Sequence, residues 1–149
     1  MGKWRKKEIE HASLLQSYPY PRSGAGMTAD DASNGFFHIQ LKITSLPFYK
    51  LHVKTLRKLK LHATLHGEIP LLAVFFEGSN VYVLLSPIIN SEGEGKVVQR
   101  SVRIAPHKYD SIVVGDNGER WGVATVLKDE VQSFLNGLKA TYLGVVEGE

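Results

Sequence analysis

At 149 residues, 43% of them hydrophobic and 22% charged, the chain is expected to form one domain with a sizeable core. No stretch approaches the ~18 consecutive apolar residues of a membrane span. The absence of cysteine excludes disulfides, thiolate metal sites and thiol catalysis together. The net charge of +3 is modest but unevenly spread. Lys3, Arg5, Lys6 and Lys7 crowd the start, and Lys50, Lys54, Arg57, Lys58 and Lys60 fill a segment from Phe48 to His66 that contains no acid. Acids gather at Glu92, Glu94, Asp129, Glu130, Glu147 and Glu149. A localised basic surface is what a phosphate backbone responds to; the alternative is a solvated helix face.

The basic start has no apolar segment behind it, so a secretory signal is not expected. Lys6 stands where a myristoylation signal after Gly2 would carry Ser or Thr. With no cysteine, the expected location is the cytoplasm (the host cytoplasm for a viral protein). Lys6 to Gln16 reads as a helix with Ile9, Ala12 and either Leu15 or Gln16 on one side, stopped by Tyr18-Pro19-Tyr20-Pro21. A Gly-rich turn, Ser23-Gly24-Ala25-Gly26, and the acids Asp30-Asp31 precede a strand from Phe36 to Thr44. Alternation sends Phe37, Ile39, Leu41 and Ile43 to one face and His38, Gln40, Lys42 and Thr44 to the other.

Leu51 to His66 is predicted as a second helix, with Val53, Leu56, Leu59 and Ala63 inward and Lys50, Lys54, Arg57 and Lys58 sharing another side. Leu59-Lys60-Leu61-His62 also alternates as a strand would, but length favours the helix. Ile69–Phe76 and Val81–Leu85, around Glu77-Gly78-Ser79-Asn80, form a predicted hairpin whose first arm suits a central strand buried on both faces. Pro87 to Lys96 reads as an exposed loop and Val97 to Ile104 as one strand. Asp110–Val114 and Trp121–Val126 frame the turn Gly115-Asp116-Asn117-Gly118. A last helix is expected from Lys128 to about Tyr142, with Val131, Phe134, Leu138 and Tyr142 inward. This order fits a mixed sheet flanked by helices, with no internal repeat and no domain boundary.

The polar face of the Phe36–Thr44 strand carries the chemistry. Magnesium prefers oxygen ligands, and Asp31 with the Gln40 amide can supply them. Lys42 can sit beside an attacking water and offset charge developing on phosphorus. An acid of the first helix, Glu8 or Glu10, would complete the set. The competing reading is a half-exposed strand on which Gln40 and Lys42 face water. Phosphate contacts are expected from Arg5, Arg22, Lys54, Arg57 and Lys58, and from Ser23 with the Gly24 and Gly26 amides. His62-x-x-x-His66 has zinc-pair spacing, but Ala63 replaces the glutamate of His-Glu-x-x-His and no third ligand is evident. Asp110 to Glu119 lacks EF-hand spacing and reads as a hairpin turn. Gly93-Glu94-Gly95-Lys96 is too short for a phosphate loop, and no Ser-His-Asp arrangement is legible.

These features together resemble the PD-(D/E)xK nuclease superfamily, and within it the archaeal and phage Holliday junction resolvases. The matching features are Glu8 with Ala12, Leu14 and Leu15; Arg22-Ser23-Gly24; Asp30 or Asp31; Gln40-Leu41-Lys42; the basic run Lys54 to Lys60; and Pro70-Leu71-Leu72-Ala73-Val74. They cover residues 3 to 86, and nothing beyond Pro87 carries the likeness. Gln40 replaces the glutamate of the family's Glu-x-Lys. Mrr-like branches of the superfamily also use Gln-x-Lys, at the cost of one negative charge and weaker magnesium binding. Glu8 is preferred to Glu10 because Ala12, Leu14 and Leu15 then fall at the family's offsets; Asp31 is preferred to Asp30 as nearer the strand.

The resemblance implies an α/β, restriction-endonuclease-like fold with a mixed central β-sheet flanked by helices, one nuclease domain across residues 1–149. It implies a Mg2+- or Mn2+-dependent endonuclease that resolves four-way or otherwise branched DNA as a homodimer, with no membrane partner. Glu8, Asp31, Gln40 and Lys42 would be catalytic, with the metal on Asp31 and Gln40. The alternatives are a Mrr-like or restriction-type enzyme cutting duplex DNA, and a non-catalytic DNA-binding or virion protein on the same fold.

Overall fold

The computed structural model describes residue 11, residues 18–19 and residues 31–144. Apart from His11, the predicted Lys6–Gln16 helix lies outside the described residues, as do the Ser23–Gly26 turn and the candidates Arg5, Glu8, Arg22 and Ser23. The described chain runs β1 (Tyr18–Pro19), β2 (Asp31–Ser33), β3 (Phe37–Thr44), β4 (Tyr49–His52), α1 (Val53–Leu65), β5 (Ile69–Phe76) and β6 (Val81–Ser86). It continues through β7 (Lys96–Val98), β8 (Ser101–Ile104), β9 (Ser111–Val114), β10 (Arg120–Leu127), a 3-10 turn (Lys128–Glu130) and α2 (Val131–Tyr142).

Eight strands form one mixed sheet in the order β1-β2-β3-β5-β6-β10-β9-β7. β1, β2 and β3 are antiparallel neighbours, β5 runs parallel to β3, and β6 returns antiparallel to β5. A parallel pair needs a long crossover, and the segment through β4 and α1 supplies it. β4 and β8 make a separate antiparallel ribbon.

The sheet's two faces carry separate cores. On one, Leu72, Val74, Val83, Leu85, Ile112 and Trp121 pack beneath Leu51, Val53, Leu56 and Leu59 of β4 and α1. On the other, Phe37, Ile39, Leu71, Phe75, Tyr82 and Leu84 pack against Val131 and Leu135 of α2. β5 therefore contributes to both, as its nearly unbroken apolar run predicts. Full burial of a leucine such as Leu56 or Leu59 stabilises the fold by roughly 1.5–3 kcal/mol each. His11 belongs to the α2 side, its ring 4.4 Å from Phe75 and bonded through Nδ1 to the Tyr82 hydroxyl.

α1 starts two residues later than the periodicity suggests, because Tyr49–His52 pairs with β8 as a strand. No side chain caps its first turn; the Val53 N–H donates instead to the Arg100 carbonyl at 2.8 Å, so the ribbon closes the helix start. Gly67 ends α1 at φ 65°, with Gly67 N bonded to Thr64 O and Glu68 N to Ala63 O. This left-handed closure favours glycine and fixes where Glu68 emerges.

Two further expectations need correction. The single Val97–Ile104 strand is two strands in different sheets, interrupted at Gln99-Arg100. Of the predicted inner face of the last helix, Val131 is buried and Phe134 and Leu138 are half-buried, while Tyr142 is exposed. Leu135, one turn beyond Val131, takes the inner position, while the Tyr142 ring lies edge-on to Phe36 at 5.6 Å. The two predicted hairpins stand: β5–β6 turns through Glu77–Asn80, and β9–β10 through a loop in which Gly118 has φ 69°.

Candidate active site

The polar face of β3 lies on the α1 side of the sheet, since Gln40 and Lys42 are register partners of Leu72 and Val74. On the other side of β3, Asp31 is the antiparallel partner of Gln40 and Ser33 the partner of His38. Directly opposed positions in an antiparallel pair belong to the same face. The register thus puts the Asp31 position one strand spacing from Gln40, with Lys42 two residues further along β3.

Burial decides against a solvated strand. His38 is fully buried, Gln40 is 8% exposed and Lys42 is half-buried. Gln40 Oε1 is out of contact with solvent and accepts no hydrogen bond from any described residue. A buried acceptor left without a donor costs about 1–3 kcal/mol, so the fold carries this oxygen at a loss. A neutral oxygen short of a partner, opposite an acid position and two residues from an ammonium, fits a hard divalent cation. Magnesium retains several waters when only one or two protein groups bind it. Asp31 and Gln40 are the positions that would hold it. Among the described residues, no three His, Cys, Asp or Glu side chains form a metal-binding group of their own.

Next to this site is a cluster the sequence reading did not assemble. His38 Nδ1 lies 3.3 Å from Glu68 Oε1, while the Ser33 hydroxyl donates to Glu68 Oε2. The His38 ring centroid is 5.4 Å from that of His66 and 6.1 Å from that of His62. The helical His62/His66 pair therefore has His38 and Glu68 as spatial neighbours. The available signal was His38 itself, in phase with Gln40 and Lys42.

The basic helix splits by direction. Lys54 and Lys58 stand on its outer ridge, exposed. Arg57 is also exposed but pairs with Asp116, and Lys60 pairs with Glu119; both acids come from the β9–β10 loop. With Arg57 and Asp116 each more than half exposed, their pair is screened by water and worth little. A phosphate can compete for Arg57 at small cost.

The chain matches no protein-family model and no curated protein. No described helix is long and apolar enough to cross a membrane.

Proposed function

We propose that the protein is a metal-dependent endodeoxyribonuclease of restriction-endonuclease-like fold, acting on branched DNA. The observation that carries this reading is the buried, unpartnered Gln40 Oε1 opposite Asp31 and two residues from Lys42. The order of parts supports it as well. An acid-bearing strand pairs with the Gln-x-Lys strand, a basic helix follows, and a buried strand returns parallel to the second.

Asp31 and Gln40 would hold Mg2+ or Mn2+, which when bound acidifies a water and draws charge from the phosphoryl oxygens. Lys42 donates a hydrogen bond toward the attacked phosphate and stabilises the negative charge that grows on it. Partial burial of Lys42 beside α1 reduces screening by water and strengthens that interaction. Lys54, Lys58 and Arg57 hold the flanking backbone, which positions the scissile bond without reading sequence. Glu8, Arg5, Arg22 and Ser23 keep the assisting and phosphate-binding roles that the resemblance implies. Symmetric incision of a four-way junction requires two such sites, hence a homodimer, and the absence of cysteine is in keeping with a cytoplasmic enzyme.

The test is incubation of the purified protein with a labelled four-way junction and a matched linear duplex, in magnesium, manganese or chelator. Paired symmetric nicks in the junction alone, absent with chelator and in Lys42→Ala and Asp31→Asn, are expected, with DNA binding largely retained by both variants. Cutting of both substrates would favour a restriction-type enzyme. Binding without cleavage in either metal would leave a non-catalytic DNA-binding protein.

A further inference from the structure

The β4–β8 ribbon presents an outward face that carries two cations and no acid. Lys50 of β4 is the register partner of Arg103 of β8, and His52 is the partner of Ser101; all four are exposed. Of the apolar residues that alternate with them, Leu51 and Ile104 are buried and Val102 is half-buried. Arg100, at the bend before β8, and Lys54, at the start of α1, extend the same end of the molecule through the Val53 N–H to Arg100 carbonyl bond.

Like charges directly opposite on an antiparallel pair are destabilising. No acid among the described residues pairs with Lys50, Lys54, Arg100 or Arg103, whereas Arg57 and Lys60 farther along α1 each have one. Instead, the Arg103 guanidinium stacks 4.6 Å over the Phe48 ring. Stacking fixes the plane of the fork and leaves its edge N–H donors directed outward, the arrangement that suits bidentate contact with a phosphate.

We infer that the β4–β8 ribbon is a docking surface for the phosphate backbone of duplex DNA. It gives the chain beyond Pro87 a role that its sequence does not reveal. The inference deepens the nuclease reading by adding a substrate-holding surface outside the candidate active site, and it rests on DNA being the ligand. Charge complementarity selects the occupant: Lys50 and Arg103 stand directly opposite each other across the ribbon, and two residues along each strand, ~6.8 Å away, follow the His52 imidazole and the Ser101 hydroxyl, all groups that contact phosphate and sugar. A membrane surface would ask for apolar side chains among the cations. None of the large exposed apolar residues, Leu46, Leu61, Leu65, Val97, Leu127, Tyr142 and Leu143, lies on the ribbon.

The experiment is fluorescence anisotropy of a labelled duplex with the full chain in chelator, titrated across roughly 50–200 mM salt. Wild type is compared with Lys50→Ala/Arg103→Ala and with Lys128→Ala/Lys139→Ala, which removes the same charge elsewhere. Each phosphate contact contributes about 0.9 to the slope of log affinity against log salt. The ribbon variant should lose about two units of slope, so wild type loses about tenfold more affinity than the variant over that range. Its melting midpoint should equal or exceed that of wild type, because a like-charge pair has been removed. Equal slopes in wild type and ribbon variant, or an equal loss in the Lys128/Lys139 variant, would overturn the inference. So would ribbon-dependent binding to phosphatidylserine vesicles without DNA binding. Failure of cleavage with the slope change intact would overturn the nuclease reading alone; no DNA binding by wild type would overturn this one.

Discussion

Replacing Gln40 with leucine separates a functional oxygen from a structural one. Leucine is close to glutamine in size and has no polar atom to leave unsatisfied. Gln40 is 8% exposed with Oε1 unpartnered, and such an acceptor costs about 1–3 kcal/mol. Gln40→Leu should therefore stabilise the protein in chelator by about 2 kcal/mol, on the order of 6 °C in melting midpoint for a chain of this size. Metal should act in the opposite direction on the comparison. At about 10 mM Mg2+ and a dissociation constant of about 1 mM, binding stabilises wild type by about 1.4 kcal/mol, or about 4 °C. Gln40→Leu should show little of that shift and no cleavage. The assay is thermal unfolding of both proteins with chelator and with magnesium, beside junction cleavage. A variant destabilised by more than about 1 kcal/mol, or one that keeps the full magnesium shift, would refute the argument that Gln40 is held in the core for a metal.

Gln40→Glu restores a charge to the proposed metal site and should preserve or raise metal-dependent cleavage, at lower magnesium concentration, measured by metal titration of the nicking rate. Gly122→Ala should destabilise by about 1–3 kcal/mol, read in urea unfolding, because a Cβ at this buried strand position collides with the backbone oxygen of Ile89. Trp121 is fully buried and its indole N–H donates to Glu119 at 2.8 Å; Trp121→Ala should cost about 3–5 kcal/mol by the same measurement. Asp116→Ala, which frees the exposed Arg57, should change stability by less than about 1 kcal/mol. It should also tighten DNA binding in an anisotropy titration at low salt.

Short-range pattern made much of the fold legible. The period-2 alternation of Phe37 to Ile43, the unbroken apolar run of β5, the Val53-Leu56-Leu59-Ala63 stripe and the turn residues of both hairpins each act within a few residues of themselves. They appear in the structure where the periodicity puts them. The errors fall where a distant partner outweighs local preference. Leu51-His52 is drawn out of the helix by pairing with β8, and the Val97–Ile104 stretch is divided between two sheets. Tyr142 keeps helical phase yet stays exposed, its ring meeting Phe36 edge-on.

The candidate site divides along the same line. From the sequence alone came the choice of residue types: an acid before a strand, an amide and a lysine in phase on it, and a basic segment after it. That information is local because side-chain direction along one strand is set by the backbone itself. The register that puts Asp31 opposite Gln40 was decided only by tertiary structure. So were the burial that leaves Gln40 Oε1 without a donor, the meeting of His38 with His62, His66 and Glu68, and the facing of Lys50 by Arg103. Each joins residues far apart in the chain, and such pairings are fixed by the packing of whole elements rather than by any preference of the residues that meet.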